Sequence, residues 1–511
     1  MSSQHSNKPN IVMVMADQMT AFALSAYGNR ISHTPHLDRL AEQSVVFEQA
    51  YCNSPLCAPA RFTLMSGQQV SQIGAYDNAA YFPSTVPTFA HYLRAAGYQT
   101  CLAGKMHFIG PDQLHGFEQR LTTDIYPADF GWVPDWENFA ERSDWWYHNM
   151  LSVKQAGVAE ITNQYEFDDE TCAQARQKLY DLARTTDPRP FALCVSFTHP
   201  HDPYATRRKY WDLYAADSID LPAVPAPAYE QRDPHSQRLH HISDMGRFEI
   251  SDEEIRNARR AYYGNVSYID DCFGQLLDVL QTTGLDKNTL ILFTSDHGDM
   301  LGEHGLWYKM TFREWACRVP LMVYAPDRYT AHRVTQPVSH VDILPTLLDL
   351  AGGMEPVEPV AGHSLQGLLE GGQETREVIG EYTGEGCIAP LLMIRREQYK
   401  YVYCEVDPPQ LFDLASDPLE CHNLAAKPEY QALAAAFQTE VLQRWDPVAL
   451  RQQVLQDQKR RRFLAHTLSQ GAYQSWDFQP QQDASQRYMR NHLDLNELEF
   501  NSRFPRARLF S

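Results

Sequence analysis

Cys57, Pro59 and Arg61 stand in the run CAPARFTLMSG, a thiol four residues from a guanidinium at what reads as the start of a helix. Proline suits a first helical turn, and the unpaired N–H groups and dipole of that turn favour negative charge. The thiol position therefore lies where an anion would bind. Four more groups of chemically capable side chains recur along the chain, each directly after a short apolar run rich in β-branched residues. NIVMVMADQM ends in Asp17 and Gln18, YQTCLAGKMH in Lys105 and His107, PFALCVSFTHPHDPY in His199 and His201, and TLILFTSDHGD in Asp296 and His297. Carboxylates, cations and imidazoles in such a set could hold a metal, bind an anion and move protons.

The elements that must position these groups follow from the same runs. Continuous apolar stretches of this length read as strands buried on both faces, and TPHLDRLAEQS, TVPTFAHYLRAAG and NVSYIDDCFGQLLDVLQTTG between them read as helices. The alternation predicts an α/β protein built on a large, mostly parallel sheet flanked by helices. Ligands bind beyond the carboxyl ends of the strands in such sheets, so all the clusters could share one rim.

Composition narrows the partners. With 44 Lys and Arg against 64 Asp and Glu, the net charge of −20 repels polyphosphate and anionic membrane, which argues against both nucleic acid and membrane as partners. MSSQHSNKPN has no apolar signal-peptide core and no run of apolar residues is long enough to span a bilayer, so the expected compartment is the cytoplasm. The ten cysteines form no CxxC pairs and sit mostly in apolar stretches, as reduced core thiols do.

CAPAR followed by FTLMSG resembles the sulfatase signature C-x-P-x-R, whose cysteine is converted after translation to formylglycine. ADQM, GKMH, PHDPY, SDHGDMLGEHGLWYK with RVPLMVYAP, and LFDLASDPLECHNLA match that family in order, over roughly residues 10 to 425. The resemblance implies an alkaline phosphatase-like fold and hydrolysis of a sulfate monoester. Such an ester resists attack by another anion, so the site must neutralise its oxygens, supply a strong nucleophile and protonate the leaving alcohol. By the same resemblance, Cys57 as formylglycine hydrates to a geminal diol and one hydroxyl attacks sulfur. Asp17, Gln18, Asp296, His297 and the oxygen at position 57 would hold a divalent metal that lowers the pKa of that hydroxyl. Ca²⁺ is the expected ion, with Mg²⁺ and Mn²⁺ as alternatives. The commonest family pattern has Asp and Asn where Gln18 and His297 stand, and an imidazole moves the balance toward Mn²⁺.

Arg61 would hold the hydrate, Lys105 and Lys309 would clamp sulfate oxygens, and His201 would protonate the leaving group. His107 would take the proton of the second hydroxyl, expelling sulfate and regenerating the aldehyde, a step that an ester of serine could not make without water. Each residue also has an ordinary reading: Asp296 as a helix cap, Lys309 as a solvated lysine, His107 as a satisfied core histidine. The ordered set on one rim favours catalysis. His199 is read as structural, and Asp299 and His304 as supports of the strand-end loop.

The segment 124–149 holds eight aromatics and six acids in 26 residues, where the chain's 12% aromatic content gives about three aromatics. Aromatic faces and carboxylates are what a quaternary ammonium group needs, because it has no hydrogen bond to donate. The ordinary reading is a subdomain packed by its tryptophans. MADQM, this Trp-rich insert, SDHGDMLGEHGLWYKM and the ending MRNHLDLNELEFNSRFPR resemble the choline-sulfatase branch of the family. That implies choline-O-sulfate as the substrate and a formylglycine-generating enzyme as maturation partner. It also implies an ammonium pocket for which Asn78, Trp132, Trp146, His148 and Glu385 are candidates, Glu385 supplying charge.

A Gly-rich break after GHSLQGLLEGGQ ends the expected catalytic domain at residues 1–372; a small antiparallel-sheet domain spans 373–445 and an extension 446–511. The basic run KRRRF in the extension reads as a solvated helix face or subunit contact rather than a nucleic-acid patch. A tail carrying Trp476, Tyr488 and Phe500 is expected to wrap a neighbouring subunit, giving a homodimer or homotetramer. The alternatives are a phosphonate or phosphate monoester hydrolase or an arylsulfatase on the same machinery, and a non-catalytic sulfatase-like binding protein, which would have lost key residues.

Overall fold

A computed structural model describes residues 8–141, 148–479, 489 and 494–502. Trp146 and Tyr488 lie outside the described residues. The apolar runs form the strands expected of them. β1 (Asn10–Asp17), β3 (Gln99–Gly104), β5 (Phe191–Pro200) and β6 (Thr289–Ser295) are buried almost throughout. With β2 (Val45–Phe47), β4 (Gln119–Arg120), β7 (Leu321–Tyr324) and β8 (His332–Val334) they make an eight-stranded sheet in the order β8-β2-β7-β6-β1-β5-β3-β4. β7 is antiparallel to both its neighbours and the remaining pairings are parallel. Met15 aligns with Ser196 of β5 and Thr294 of β6, and Gly104 with Ser196, so β1, β3, β5 and β6 end at one level.

Helices α2 (Asn163–Arg184) and α3 (Asp252–Thr283) pack on each other and on β5. Helix α1 (Cys57–Ser66) packs in a separate group with the helices Phe89–Ala95 and Ile343–Leu350. Every residue of α1 is buried, and Gly67 ends it in the left-handed conformation, φ 67°, that a helix C-terminus takes most readily with glycine.

The small sheet is a meander of β9 (Glu377–Tyr382), β10 (Leu391–Arg396), β11 (Tyr399–Cys404) and β12 (Asp407–Asp413). The sequence marks the first three. β12 carries Pro408 and Pro409, which read against a strand and are tolerated because β12 is an edge. Lys400 of β11 docks this sheet: its buried ammonium donates to the Phe312 carbonyl at 2.6 Å and pairs with Glu314 at 2.9 Å and Glu420 at 2.6 Å.

Helix α4 (Pro447–Leu468) begins with Pro447 in its first turn and Asp446 accepting the Ala449 N–H at 2.9 Å. Its basic run is only partly solvated. Lys459 and Arg460 are exposed, as a solvated face requires, whereas Arg461 is 2% exposed and ion-paired within the chain. The described parts of the tail pack on the 124–149 segment of the same chain. Trp476 meets Phe130 edge-on at 5.1 Å, Met489 and Leu495 join Ile125, Tyr126 and Phe167, and Asn149 donates to Asn496 at 2.6 Å. Among the described residues no helix is long and apolar enough to cross a membrane, and all ten cysteines are free.

Candidate active site

The strand ends and the first turn of α1 converge on one buried cluster. Asp17, Cys57, Asp296 and His297 bring their ligand atoms within 4.8 Å of one another. The Cys57 sulfur lies 3.2 Å from Nε2 of His297 and 3.8 Å from Asp17 Oδ1. Arg61, one turn further along α1, donates Nε to Asp296 at 2.8 Å and Nη1 to Ser196 Oγ at 2.8 Å and to the Lys105 carbonyl at 2.6 Å. Its Nη2 faces Asp17 at 3.3 Å, and the Lys105 ammonium pairs with Asp17. Gly298 is required here by contact: a Cβ would meet the Trp315 carbonyl oxygen at 2.0 Å.

Three turns at this rim hold a non-glycine residue in the left-handed conformation, Gln18 at φ 64°, His107 at 59° and Tyr308 at 67°. Such conformations persist where the surroundings over-determine them. A buried carboxylate takes each N–H: Asp296 that of Gln18 at 3.0 Å, Asp124 that of His107 at 2.9 Å, and Asp299 that of Tyr308 at 3.1 Å. Asp124 also takes the Met106 N–H and the Arg120 guanidinium, at 3.0 and 2.7 Å. Nothing in the sequence around Asp124 marks this role, because it depends on a segment that meets the rim only in space.

Charge sets the protonation states. Burial would raise Asp17, but Lys105 and Arg61 overturn that and hold it well below the usual carboxylate range. Burial lowers His297 to about 4, with Lys309 adding to the effect, so it is a neutral imidazole. Two carboxylates and a neutral imidazole around position 57 are a donor set of hard oxygens and one nitrogen, appropriate to a divalent cation. The residues present thus fit the metal that this kind of site would hold. Gln18 lies beside them with its carbonyl oxygen accepting from Lys309 at 2.6 Å, and its amide nitrogen donating to Asp299 at 2.7 Å and Asp202 at 3.3 Å.

Lys309 also reaches Nε2 of His201 at 2.8 Å, and Nδ1 of His201 donates to the Asp202 carbonyl at 2.8 Å. Burial and then Lys309 push the His201 pKa well down. His107 is lowered by burial against the pull of the Cys57 thiol, and neither ring nitrogen makes a hydrogen bond of ordinary geometry among the described residues. His199 stands apart, its ring 2.7 Å from Asp168, which also takes the Thr198 and His199 N–H groups and so fixes the end of β5.

A second wall adjoins the cluster. Tyr126 lies under the Lys105 ammonium at 4.4 Å, and Trp132 packs on Tyr126 at 5.2 Å and edge-on to His107 at 5.9 Å. His148 lies 5.4 Å from the His201 ring and 4.7 Å from that of Tyr308. Glu385 is buried, and its Oε2 has no hydrogen-bond partner among the described residues. Burial first, then Asp77 and Cys57, push its pKa up to about 8. Asn78, expected on the substrate side, gives its carbonyl oxygen to the Ala58 N–H at 2.9 Å and so caps α1 beside the thiol. Tyr126 was not singled out by sequence, although it belongs to the aromatic-dense segment.

Comparison with known proteins matches this arrangement to a class. The profile described as Sulfatase matches residues 9–354, and the chain belongs to the sulfatase family, with its alkaline phosphatase-like fold. Profiles described as N-sulphoglucosamine sulphohydrolase, C-terminal, and choline sulfatase enzyme C terminal match 302–446 and 452–504. The choline-sulfatase of Rhizobium meliloti (strain 1021) is 51% identical over 98% of this chain and 99% of its own. The ulvan-active sulfatase of Formosa agariphila is 29% identical over 83% of this chain and 79% of its own. Among solved structures, a phosphonate monoester hydrolase from Silicibacter pomeroyi shares the fold at TM-score 0.71 and 22% identity, over 90% of this chain and 97% of that one.

Proposed function

We propose that the protein hydrolyses choline-O-sulfate to choline and sulfate. The observation that carries this reading is Glu385, a buried acid whose Oε2 has no hydrogen-bond partner among the described residues and which lies within electrostatic reach of Cys57 and Lys309; the rings of Tyr126, Trp132 and His148 line the same cluster. Ionising so deeply buried a carboxyl is costly, and an ammonium group that cannot donate a hydrogen bond offsets that cost by charge while the rings take its methyl groups. The likeness to a choline-sulfatase along the whole chain supports the same reading. Asn78 and Trp146 remain candidates for this pocket.

Formylglycine at position 57 supplies the nucleophile, and a divalent ion held by Asp17, Asp296 and His297, with Gln18 and position 57 beside them, supplies a Lewis acid. Ca²⁺ is our choice of ion, with Mn²⁺ or Mg²⁺ as alternatives. The chain's own residues do the rest. Lys105 and Lys309 neutralise sulfate oxygens, and Arg61 keeps position 57 and Asp296 in register through its bonds to Asp296 and Ser196. His201 protonates the leaving alcohol. Burial first and then Lys309 hold its pKa down; an anionic ester against Lys309 offsets the second of these and favours the protonated ring. His107, neutral through burial, is the base for the second proton transfer.

Free thiols throughout the described chain support a reducing compartment, the cytoplasm, where a formylglycine-generating enzyme would act on Cys57. We place the domain limits at 1–372, 373–445 and 446–511 and assign the extension to assembly of a dimer or tetramer, which light scattering at micromolar concentration would test.

The test of function is turnover of choline-O-sulfate against 3,3-dimethylbutyl sulfate, its uncharged isostere, on protein whose Cys57 conversion is known by peptide mass spectrometry. A preference of about tenfold or more in kcat/KM for the charged ester is expected. Equal rates on the two, or faster phosphonate ester cleavage, would overturn the choline reading and leave the sulfatase chemistry.

A further inference from the structure

Arg461 lies on α4, remote in sequence from every strand-end residue. Both its terminal nitrogens meet the two carboxylate oxygens of Asp77, each at 2.7 Å, and its Nε bonds Asp457 one turn earlier at 2.7 Å. Arg461 and Asp77 are both buried. A bidentate pair with no water around it fixes both partners in place. Asp77 in turn accepts the Ala79 N–H at 3.0 Å, and between them Asn78 caps α1 at Ala58.

One turn back on α4, Gln458, 1% exposed, accepts the Trp136 N–H at 3.1 Å. The Trp136 indole then donates to the Gly384 carbonyl at 3.1 Å, next to Glu385. Thr383 closes the circuit by donating to the Tyr76 carbonyl at 2.9 Å. Two buried side chains of one helix are therefore tied to the 76–79 loop, to the aromatic segment and to the loop that carries Glu385. Asp77 is also, after burial, the second cause that raises Glu385, so an uncompensated charge at Asp77 acts directly against an ionised Glu385.

We propose that Arg461 of the C-terminal extension is a positioning residue for recognition of the cationic leaving group. By pairing with Asp77 it holds the 76–79 and 383–385 loops in register and keeps a second buried carboxylate from opposing Glu385. The proposal rests on the choline reading above. The extension thereby acts within its own chain on substrate choice, apart from any part it has in assembly.

The experiment uses full-length, formylglycine-bearing protein and the same ester pair. In Arg461→Met the preference for choline-O-sulfate over 3,3-dimethylbutyl sulfate falls about tenfold, chiefly through KM, while kcat on the neutral ester stays within about threefold. Arg461→Lys restores part of the preference. The double variant Asp77→Asn/Arg461→Met leaves no unpaired charge at position 77 and folds where the single variant fails; it too shows the lowered preference. An unchanged preference in both Met-bearing variants, or equal losses on the two esters, would overturn the proposal and reduce Arg461 to a structural ion pair. A wild-type protein without preference would overturn the choline reading and this inference with it.

Discussion

The strand-end cluster and the proposed ammonium side of the site are built by different means. The first is made of residues at, or up to three positions beyond, the ends of adjacent parallel strands, joined by Lys309 from the loop after β6 and by the first turn of α1. Its carboxylates are met by cations, Asp17 by Lys105 and Arg61 and Asp296 by Arg61, while Lys309 is held by the neutral Gln18 and His201. The second is made of loops, 76–79, the described part of 124–149 and 383–385, stitched together by a helix from the far end of the chain, and Oε2 of its Glu385 has no partner among the described residues. A sheet edge repeats the same geometry for any sulfate ester, so it suits the chemistry common to a family; loops can change without disturbing the sheet, so they suit the choice of alcohol.

That contrast can be broken first at the nucleophile. Cys57→Ala is expected to abolish turnover on every ester alike, a loss of about 10⁵-fold or more, checked by sulfate release. A variant that kept a measurable rate on one ester would place the chemistry elsewhere. His201→Ala sharpens the comparison within the strand-end half. It should cost about 10²- to 10³-fold in kcat on an alkyl sulfate, whose leaving group needs a proton, and far less on a 4-nitrophenyl ester, whose leaving group does not.

Glu385→Gln tests the other half. It is expected to lower kcat/KM for choline-O-sulfate about tenfold to a hundredfold and to leave the neutral isostere unchanged. The pH dependence has a definite sign. With its pKa at about 8 the free enzyme's Glu385 holds a proton below that pH, so the preference for the charged ester grows as pH rises through about 8, and the growth is absent in Glu385→Gln. By linkage, a carboxyl that binds its proton more tightly folded than unfolded makes the substrate-free protein less stable as pH rises from about 4.5 to about 8; thermal unfolding of the variant should lack that part of the slope. The smallest effect is expected of Asp124→Asn, which weakens the hold on the left-handed turn at His107. A loss of about tenfold in kcat on both esters, with KM little changed, would mark it as support for the strand-end half alone.

The two halves were not equally legible. Buried parallel strands need long apolar runs, and the residues at their ends have few places to go, so Asp17, Lys105, His107, His201 and Asp296 could be expected on one rim, and the structure brings them together. The Pro-bearing edge strand β12 and the inward-facing Arg461 were not, because an edge tolerates proline and a single arginine in a basic run carries no mark of which way it points. Asn78 was assigned by resemblance to the substrate side, yet only the fold shows that its carbonyl caps the helix bearing Cys57.

Legible in the sequence were the mostly parallel sheet, the order of its chemically capable strand ends, the candidate nucleophile at position 57 and the family. These are local patterns: apolar runs, a cysteine, proline and arginine at fixed spacing, and the helix start they define. The tertiary structure alone shows which carboxylate each cation meets, that Oε2 of Glu385 has no partner among the described residues, and that Asp77 and Arg461, 384 positions apart, are one ion pair. Pairing and burial are properties of distance in space, and in a buried site each depends on every other charge within a few ångströms, which no stretch of sequence contains.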